Sequence, residues 1–125
     1  MKSFVTLLLF FAFLNVKAQE EATESVFMDI AGIKNISGQD VSKFVAMNYQ
    51  FPREALDEGV SGTLRVEFTV EKDGTVQEAK ITQSLCESCD KEALRIVRKL
   101  RFHPIEIDGK PERVRFLLPI NLSVQ

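Results

Sequence analysis

The feature that most constrains this fold is a strictly alternating segment that is followed at once by a turn. Over residues 62–70, apolar side chains occupy every second position and mostly polar side chains lie between them. A period of two is typical of a strand with one buried face and one solvent-exposed face, as in antiparallel sheets. The adjacent Asp73 and Gly74 are a strong hairpin signal. We therefore predict a strand over 62–70 paired with a return strand over 75–84.

A break in the alternation of the return strand predicts an irregularity. Its inward-facing set begins at Val76 but continues at Ala79 and Ile81, which have the opposite parity. One inserted residue restores the phase of a strand against its partner. We therefore predict a β-bulge near Gln77 and Glu78.

Helical spacing and stop signals define the other elements. Asp40 suits a helix cap, and that helix must end before Pro52 because the residue preceding proline avoids the helical region. Gly59 suits the end of a second, short helix. The predicted order is a helix after Asp40, a short helix over 52–58, the hairpin, a helix over 90–100 and a strand over 113–124.

This order of elements predicts an α+β fold with two layers. The expected sheet is antiparallel and three-stranded, or four-stranded if an N-terminal segment adds a strand. Two or three helices are expected to cover one face of the sheet.

The N-terminus has the pattern of a secretory signal peptide. Lys2 precedes an apolar run from Phe4 to Leu14, and a small residue, Ala18, ends the segment. The run is shorter than the roughly 20 apolar residues that span a bilayer as a helix. We therefore predict cleavage after residue 18 and export of the mature chain. An uncleaved inner-membrane anchor is the alternative.

Removal of residues 1–18 leaves 107 of the 125 residues, which is enough for one domain. We assign residues 19–39, which open with acidic and polar side chains, to an N-terminal tail, and residues 40–125 to the domain. Loss of Lys2 and Lys17 changes the formal charge from −2 to −4. Because no basic patch or stripe is present, nucleic acid is not an expected partner.

Two long segments carry motifs in an informative order. They are FPREALDEGVSGTLRVEFTVEKDGTVQEAKITQS and CDKEALRIVRKLRFHPIEIDGKPERVRFLLPINL. In order, they contain an aromatic-Pro pair, a strand begun by Gly, an Asp-Gly hairpin, an Asp-x-Glu-Ala helix, an aromatic-x-Pro loop and a Gly-Lys-Pro turn. Over residues 41–122 this order resembles the C-terminal domain family of TonB-type energy transducers. Phe51 and Phe102 stand where that family usually has Tyr and Trp.

The resemblance implies a periplasmic, non-enzymatic module that engages outer-membrane receptors or transducer components in TonB-dependent transport. Domains of the family capture an extended receptor segment beside their last strand. A full transducer also has an uncleaved inner-membrane helix and a proline-rich linker, whereas residues 19–48 contain no proline. We therefore expect the receptor-binding part of a transducer without the proline-rich linker that joins it to a membrane helix. A short anchored transducer with an uncleaved N-terminal helix is the alternative.

The last predicted strand carries the candidate partner site. Pro119 lies inside its alternation, and proline belongs on an edge strand or at a bulge because it donates no ladder hydrogen bond. One interpretation is an edge that proline protects from unwanted pairing. The resemblance implies instead that this edge accepts a peptide strand, and an exposed edge also permits a homodimer by edge pairing. The expected site residues are Arg113, Arg115, Leu117, Pro119 and Asn121.

Cys86 and Cys89 form a C-x-x-C pair before the helix over 90–100. A structural disulfide is favoured in an exported chain. A redox-active pair is the second interpretation, because a helix N-terminus lowers the pKa of a cysteine. Half a zinc site is the third, although zinc needs four ligands and His103 is the single histidine. A pair of free thiols is the fourth. We predict a disulfide and no metal site, with a thiol–disulfide or metal-responsive protein as the alternative function.

The residue types needed for catalysis do not occur in a recognisable pattern. One histidine between Phe102 and Pro104 does not make a catalytic triad. The adjacent acidic residues fall in the tail or at a helix end rather than in a shielded pair, and there is no Gly-rich phosphate loop. We therefore expect no enzyme activity, no cofactor and no small-molecule substrate.

Overall fold

The computed structural model describes residues 25–123. The leader expected over 1–18 lies outside the described residues, as do residues 19–24 of the expected tail. The elements in chain order are β1 (Val26–Met28), α1 (Val41–Asn48), α2 (Arg53–Glu58), β2 (Gly62–Val70), β3 (Val76–Gln83), α3 (Glu87–Arg98), β4 (Glu106–Ile107), β5 (Lys110–Pro111) and β6 (Val114–Leu122).

The alternating strand β2 is an inner strand of a four-stranded sheet with the order β1–β6–β2–β3. It pairs antiparallel with β3 on one side and with β6 on the other, where the register runs unbroken from Gly62 opposite Leu122 to Val70 opposite Val114. The inner face is covered by helices, because α1 packs on β6 and α3 packs on β2 and β3. The predicted α+β class is confirmed.

The expectation of a purely antiparallel sheet is wrong in one strand. β1 supplies the fourth strand and runs parallel to β6, with Val26 opposite Val114 and Met28 opposite Phe116. A tight turn makes two neighbouring strands antiparallel, but the chain between β1 and β6 passes through the whole domain. Its direction was therefore free of that constraint, and the sheet is mixed.

The predicted bulge in β3 is confirmed. Thr69 lies opposite Gln77, whereas Glu67 lies opposite Lys80, so β3 has an extra residue between these pairs. Glu78 takes a positive φ of 55°, which is uncommon for a residue with a side chain. The bulge is what returns Ala79 and Ile81 to partly buried positions against the core.

The helix boundaries follow the expected stop signals at α1 and α2 but not at α3. Asp40 caps α1 by accepting a hydrogen bond from the Lys43 N–H at 3.1 Å, and Gly59 ends α2 in a left-handed conformation with φ 64°. α3 begins at Glu87, three residues before the predicted start. The sulfur of Cys86 serves as the cap there, accepting from the Cys89 N–H at 3.0 Å.

Three phenylalanines form the centre of the core. The ring centroids of Phe68 and Phe116 are 5.7 Å apart, and Phe102 stacks on both at 6.2 and 6.4 Å. All three side chains are buried. Truncating a ring of this kind to alanine costs about 3–5 kcal/mol of stability, so this cluster accounts for much of the packing between β2, β6 and the segment after α3.

Residues N-terminal of Asp40 belong to the fold as well. Ile30 is buried in the core, and the Asn35 side chain accepts hydrogen bonds from the N–H groups of Ser37 and Gln39, both at 3.0 Å. The packed domain therefore includes β1 and the loop after it, which the sequence had assigned to the N-terminal tail.

Candidate functional site

The strand β6 is covered on only part of one side. β1 pairs with residues 114–116, and β2 pairs with the whole strand on the opposite side. Within residues 25–123, no strand pairs with residues 117–122 on the β1 side. β6 is therefore an inner strand over its first third and an open edge over the rest.

The backbone groups of that open edge can be assigned from one hydrogen bond. The Val26 N–H donates to the Arg113 carbonyl at 2.9 Å, so this carbonyl faces the β1 side. The backbone N–H and C=O groups of successive residues in a strand point to opposite sides. The backbone groups of residues 117, 119 and 121 therefore face the β1 side, as those of Arg113 do. The nitrogen of Pro119 thus points to the open edge, and the ladder with β2 loses no donor. The edge offers the carbonyls of Leu117 and Pro119 and both backbone groups of Asn121.

A cleft of about 240 Å³ lies between this edge and α1. Its floor is apolar because Val45, Tyr49 and Ile120 are buried, while Ser42 and Ala46 are exposed along the α1 side. The residues lining the cleft are Ser42, Val45, Ala46, Tyr49, Phe51, Pro119, Ile120, Asn121 and Leu122. A hydrogen-bonding edge beside an apolar cleft is the combination that an added strand requires.

Tyr49 fixes one wall of the cleft. Its hydroxyl donates to the carbonyl of Cys89 at 2.9 Å, and its ring meets that of Phe51 edge-on at 5.5 Å. The pKa of Tyr49 is raised from 10.0 to about 12, mainly by burial and in smaller part by the nearby carboxylates of Glu92 and Asp90. The phenol therefore stays protonated, and the donor that ties the cleft to α3 is permanent at ordinary pH.

The two arginines expected in the partner site lie at the start of β6, in the part that pairs with β1, and away from the cleft. Arg113 is mostly buried, with its Nε 2.8 Å from Glu71 and one terminal nitrogen 3.5 Å from Glu78. The hydrogen bond to Glu71 is the main reason that the pKa of Arg113 is raised. This guanidinium is engaged in holding the β2–β3 hairpin to β6.

Arg115 is more accessible, with 43% of its side chain exposed. One terminal nitrogen lies 3.5 Å from Glu67, and its guanidinium lies 5.9 Å from the ring centroid of Phe27 in β1. A cation facing an aromatic ring in this way is attracted by the ring quadrupole. Of the five expected site residues, the structure therefore brings Pro119 and Asn121 to the cleft, places Leu117 at the start of the open edge, and gives Arg113 and Arg115 internal partners.

The α1 side of the cleft was missed from sequence. Ser42 and Ala46 are small residues one helical turn apart, next to the buried Val41 and Val45. Small exposed residues that flank the apolar stripe of a helix leave space beside that stripe. This pattern in the sequence is the signal that could have indicated a cleft. That signal becomes meaningful only once α1 is known to lie against β6.

The described residues also bear on the cysteines and on membranes. Cys86 and Cys89 are joined in a disulfide. No group of three or more potential metal ligands comes together within residues 25–123. Among the helices of the same region, none is long and apolar enough to cross a membrane.

The chain is a two-layer α+β domain with a mixed sheet and a partly open last strand, and comparison with known proteins identifies its family. The model of the Gram-negative bacterial TonB protein C-terminal family matches residues 47–123. The match covers more than half of the chain, and the chain belongs to this family. A comparison with curated proteins gave no match.

Two solved structures share the fold. The NMR structure of the Helicobacter pylori TonB C-terminal domain, residues 179–285, has a TM-score of 0.53 at 20% identity and covers 66% of this chain and 76% of that one. A shorter form, residues 194–285, has a TM-score of 0.53 at 21% identity, covering 66% and 88%. The family works in TonB-dependent transport, its domains are periplasmic, and they interact with outer-membrane receptors.

Proposed function

We propose that this domain is a non-enzymatic periplasmic module that binds an extended segment of an outer-membrane receptor or of a transducer component. Binding occurs by strand addition to residues 117–122 of β6. The leader over residues 1–18 directs export and is then removed. The partner that adds its strand is recognised by its backbone and by its alternate side chains.

The open part of β6, residues 117–122, is the observation that supports this proposal. Six residues of strand extend about 20 Å, which suits a short linear segment of a partner. Main-chain hydrogen bonds to an edge give affinity without regard to sequence, and pockets for alternate side chains give selectivity. The cleft of about 240 Å³ beside residues 119–122 provides such a pocket.

The chemistry of the cleft indicates which partner side chain enters it. Buried Val45, Tyr49 and Ile120 offer no charge, and the Tyr49 hydroxyl is already committed to Cys89. An ionised side chain would lose its hydration there without gaining a partner. The partner therefore places an apolar residue in the cleft and keeps its charged residues on the opposite, outer face.

One backbone donor on the open edge can be removed without touching the β2 ladder. Asn121→Pro deletes an N–H that faces the open side, so the fold remains and one hydrogen bond to the partner is lost. Such a bond contributes about 1 kcal/mol, or roughly fivefold in Kd. Isothermal titration with a receptor-derived peptide measures the change.

Asn121→Ala is the matched control. It keeps the backbone N–H and removes the side chain, whose oxygen accepts a 2.6 Å hydrogen bond from the Thr63 hydroxyl. We expect Asn121→Ala to lose less affinity than Asn121→Pro, because both lack the asparagine side chain and only the alanine variant keeps the backbone N–H. Equal binding by the proline variant and the parent would rule out strand addition at this position.

A further inference from the structure

The disulfide between Cys86 and Cys89 stabilises the fold less than a bond across a long loop would. The two residues are three positions apart, and a disulfide that closes so short a loop removes the least chain entropy from the unfolded state. α3 is already anchored through Ala93, Ile96 and Val97, which are buried in the core. The position of this bond therefore calls for another explanation.

The two sulfur-bearing residues differ in their surroundings. Cys89 is fully buried, whereas Cys86 is partly exposed at the start of α3. The Cys86 sulfur accepts a hydrogen bond from the Cys89 N–H at 3.0 Å and lies 3.5 Å from the Ser88 hydroxyl. After reduction, the same N–H and the positive end of the helix dipole stabilise a thiolate at Cys86.

Two acidic side chains in the first turn oppose this effect only in part. The Asp90 carboxylate accepts hydrogen bonds from the Ser84 hydroxyl and, at 3.2 Å, from the Leu85 N–H. Glu87 is exposed, with Lys91 3.4 Å away. Both charges are thus engaged or screened, and the hydrogen bond to the Cys86 sulfur remains the most direct influence on it.

We propose that Cys86 and Cys89 form a thiol–disulfide exchange site whose partner is a protein carrying a pair of cysteine thiols. A partner thiolate attacks the Cys86 sulfur, the bond between Cys86 and Cys89 breaks, and Cys89 leaves as a thiolate that takes up a proton. The second partner thiol loses its proton and attacks the partner's own sulfur in the mixed disulfide, releasing Cys86. Two electrons pass to this chain, and the partner gains a disulfide. The reverse sequence reduces a partner disulfide.

Glutathione is a suitable probe for the full chain. After equilibration with mixtures of reduced and oxidised glutathione, alkylation and mass measurement give the fraction of reduced pair. We expect reduction within the range of such mixtures, because a redox-active disulfide is exchangeable with the glutathione pool. A pair that stays fully oxidised in a large excess of reduced glutathione is a structural disulfide, and the proposal fails.

Single variants test the assigned roles. In Cys89→Ser, we expect the Cys86 thiol to alkylate at neutral pH about tenfold faster than the same cysteine in an unfolded peptide of residues 84–91 with the same substitution. In Cys86→Ser, Cys89 is expected to react more slowly than its peptide counterpart because it is buried. Equal rates for Cys86 in protein and peptide would contradict the proposal. If either variant fails to fold, the glutathione equilibrium of the parent chain decides alone.

Discussion

A single side chain, Tyr49, connects the cleft, the end of α1 and the first turn of α3. The chain has one tyrosine and no tryptophan, so tyrosine absorbance and tyrosine fluorescence come from this residue alone. Its hydroxyl bonds to the carbonyl of Cys89 while its ring lines the cleft beside β6. The molecule thus carries a built-in probe of both proposed sites.

The titration of Tyr49 is the prediction that belongs to this scale. Its pKa is raised from 10.0 to about 12, first by burial and then by the carboxylates of Glu92 and Asp90. Because folding raises this pKa, the neutral phenol stabilises the folded state fully below pH 10, and that contribution is lost as pH rises from 10 towards 12. We expect phenolate absorbance to appear near pH 12, together with a falling urea midpoint above pH 10.

Glu92→Gln is a useful comparison for this titration. It removes one of the two charges that raise the pKa of Tyr49, so the phenolate should appear at lower pH than in the parent chain. A parent protein that is still folded and shows a midpoint near pH 10 would contradict the placement of Tyr49.

Residue roles on β6 were only partly predictable from sequence. Pro119 inside an alternating strand indicated an edge by the chemistry of proline alone. The ion pair between Arg113 and Glu71 joins residues 42 positions apart. Arg113 also pairs with Glu78, which lies at the bulge. Such a contact depends on sheet register and on the bulge, which local patterns do not specify in full.

At the scale of elements, the β2–β3 hairpin is held against the end of α3 by its turn. The Phe102 N–H donates to the Gly74 carbonyl at 2.9 Å. A Cβ built on Gly74, which has φ +88°, would lie 1.8 Å from the Phe102 carbonyl oxygen. The hairpin therefore needs glycine at this position for space as well as for conformation.

Gly74 and Gly109 make a matched pair of positions. Gly109 has φ +80° and nothing within 4 Å of its built Cβ, so Gly109→Ala is strained only in its backbone and costs about 1 kcal/mol. Gly74→Ala adds a backbone collision and is expected to cost about 3 kcal/mol in total. Urea unfolding of both variants measures the difference. Equal losses of stability would contradict the close docking of the turn on Phe102.

The elements themselves were readable in outline because each has a local signal. The alternation over β2, the Asp-Gly turn and the Gly59 stop all depend on neighbouring residues. The start of α3 was not readable, because its cap is the sulfur of Cys86, and cysteine is outside the usual capping residues. The parallel direction of β1 was not readable either, since it depends on a pairing far along the chain.

At the scale of the whole molecule, the described part of the four-stranded sheet has three places where another strand could pair. They are the outer side of the three-residue strand β1, the open part of β6 over residues 117–122, and the outer side of β3, which pairs with β2 alone. β3 carries register shifts and the positive φ of Glu78, and bulges of this kind discourage edge pairing. The regular register of β6 and the adjacent cleft favour β6 as the partner strand. A second copy of the chain would meet the same preference, so the expected homodimer stays a prediction tied to this edge.

The central claim is tested most directly by mapping amide shifts as isotopically labelled domain is titrated with a peptide from the N-terminal region of an outer-membrane receptor. We predict that the largest shifts fall on residues 117–122 and on the α1 residues that line the cleft. The fluorescence of Tyr49 should change over the same range of peptide concentration. Amides of Val76–Gln83 should move little. Shifts centred on β3, or no shift in β6 at millimolar peptide, would contradict strand addition at this edge.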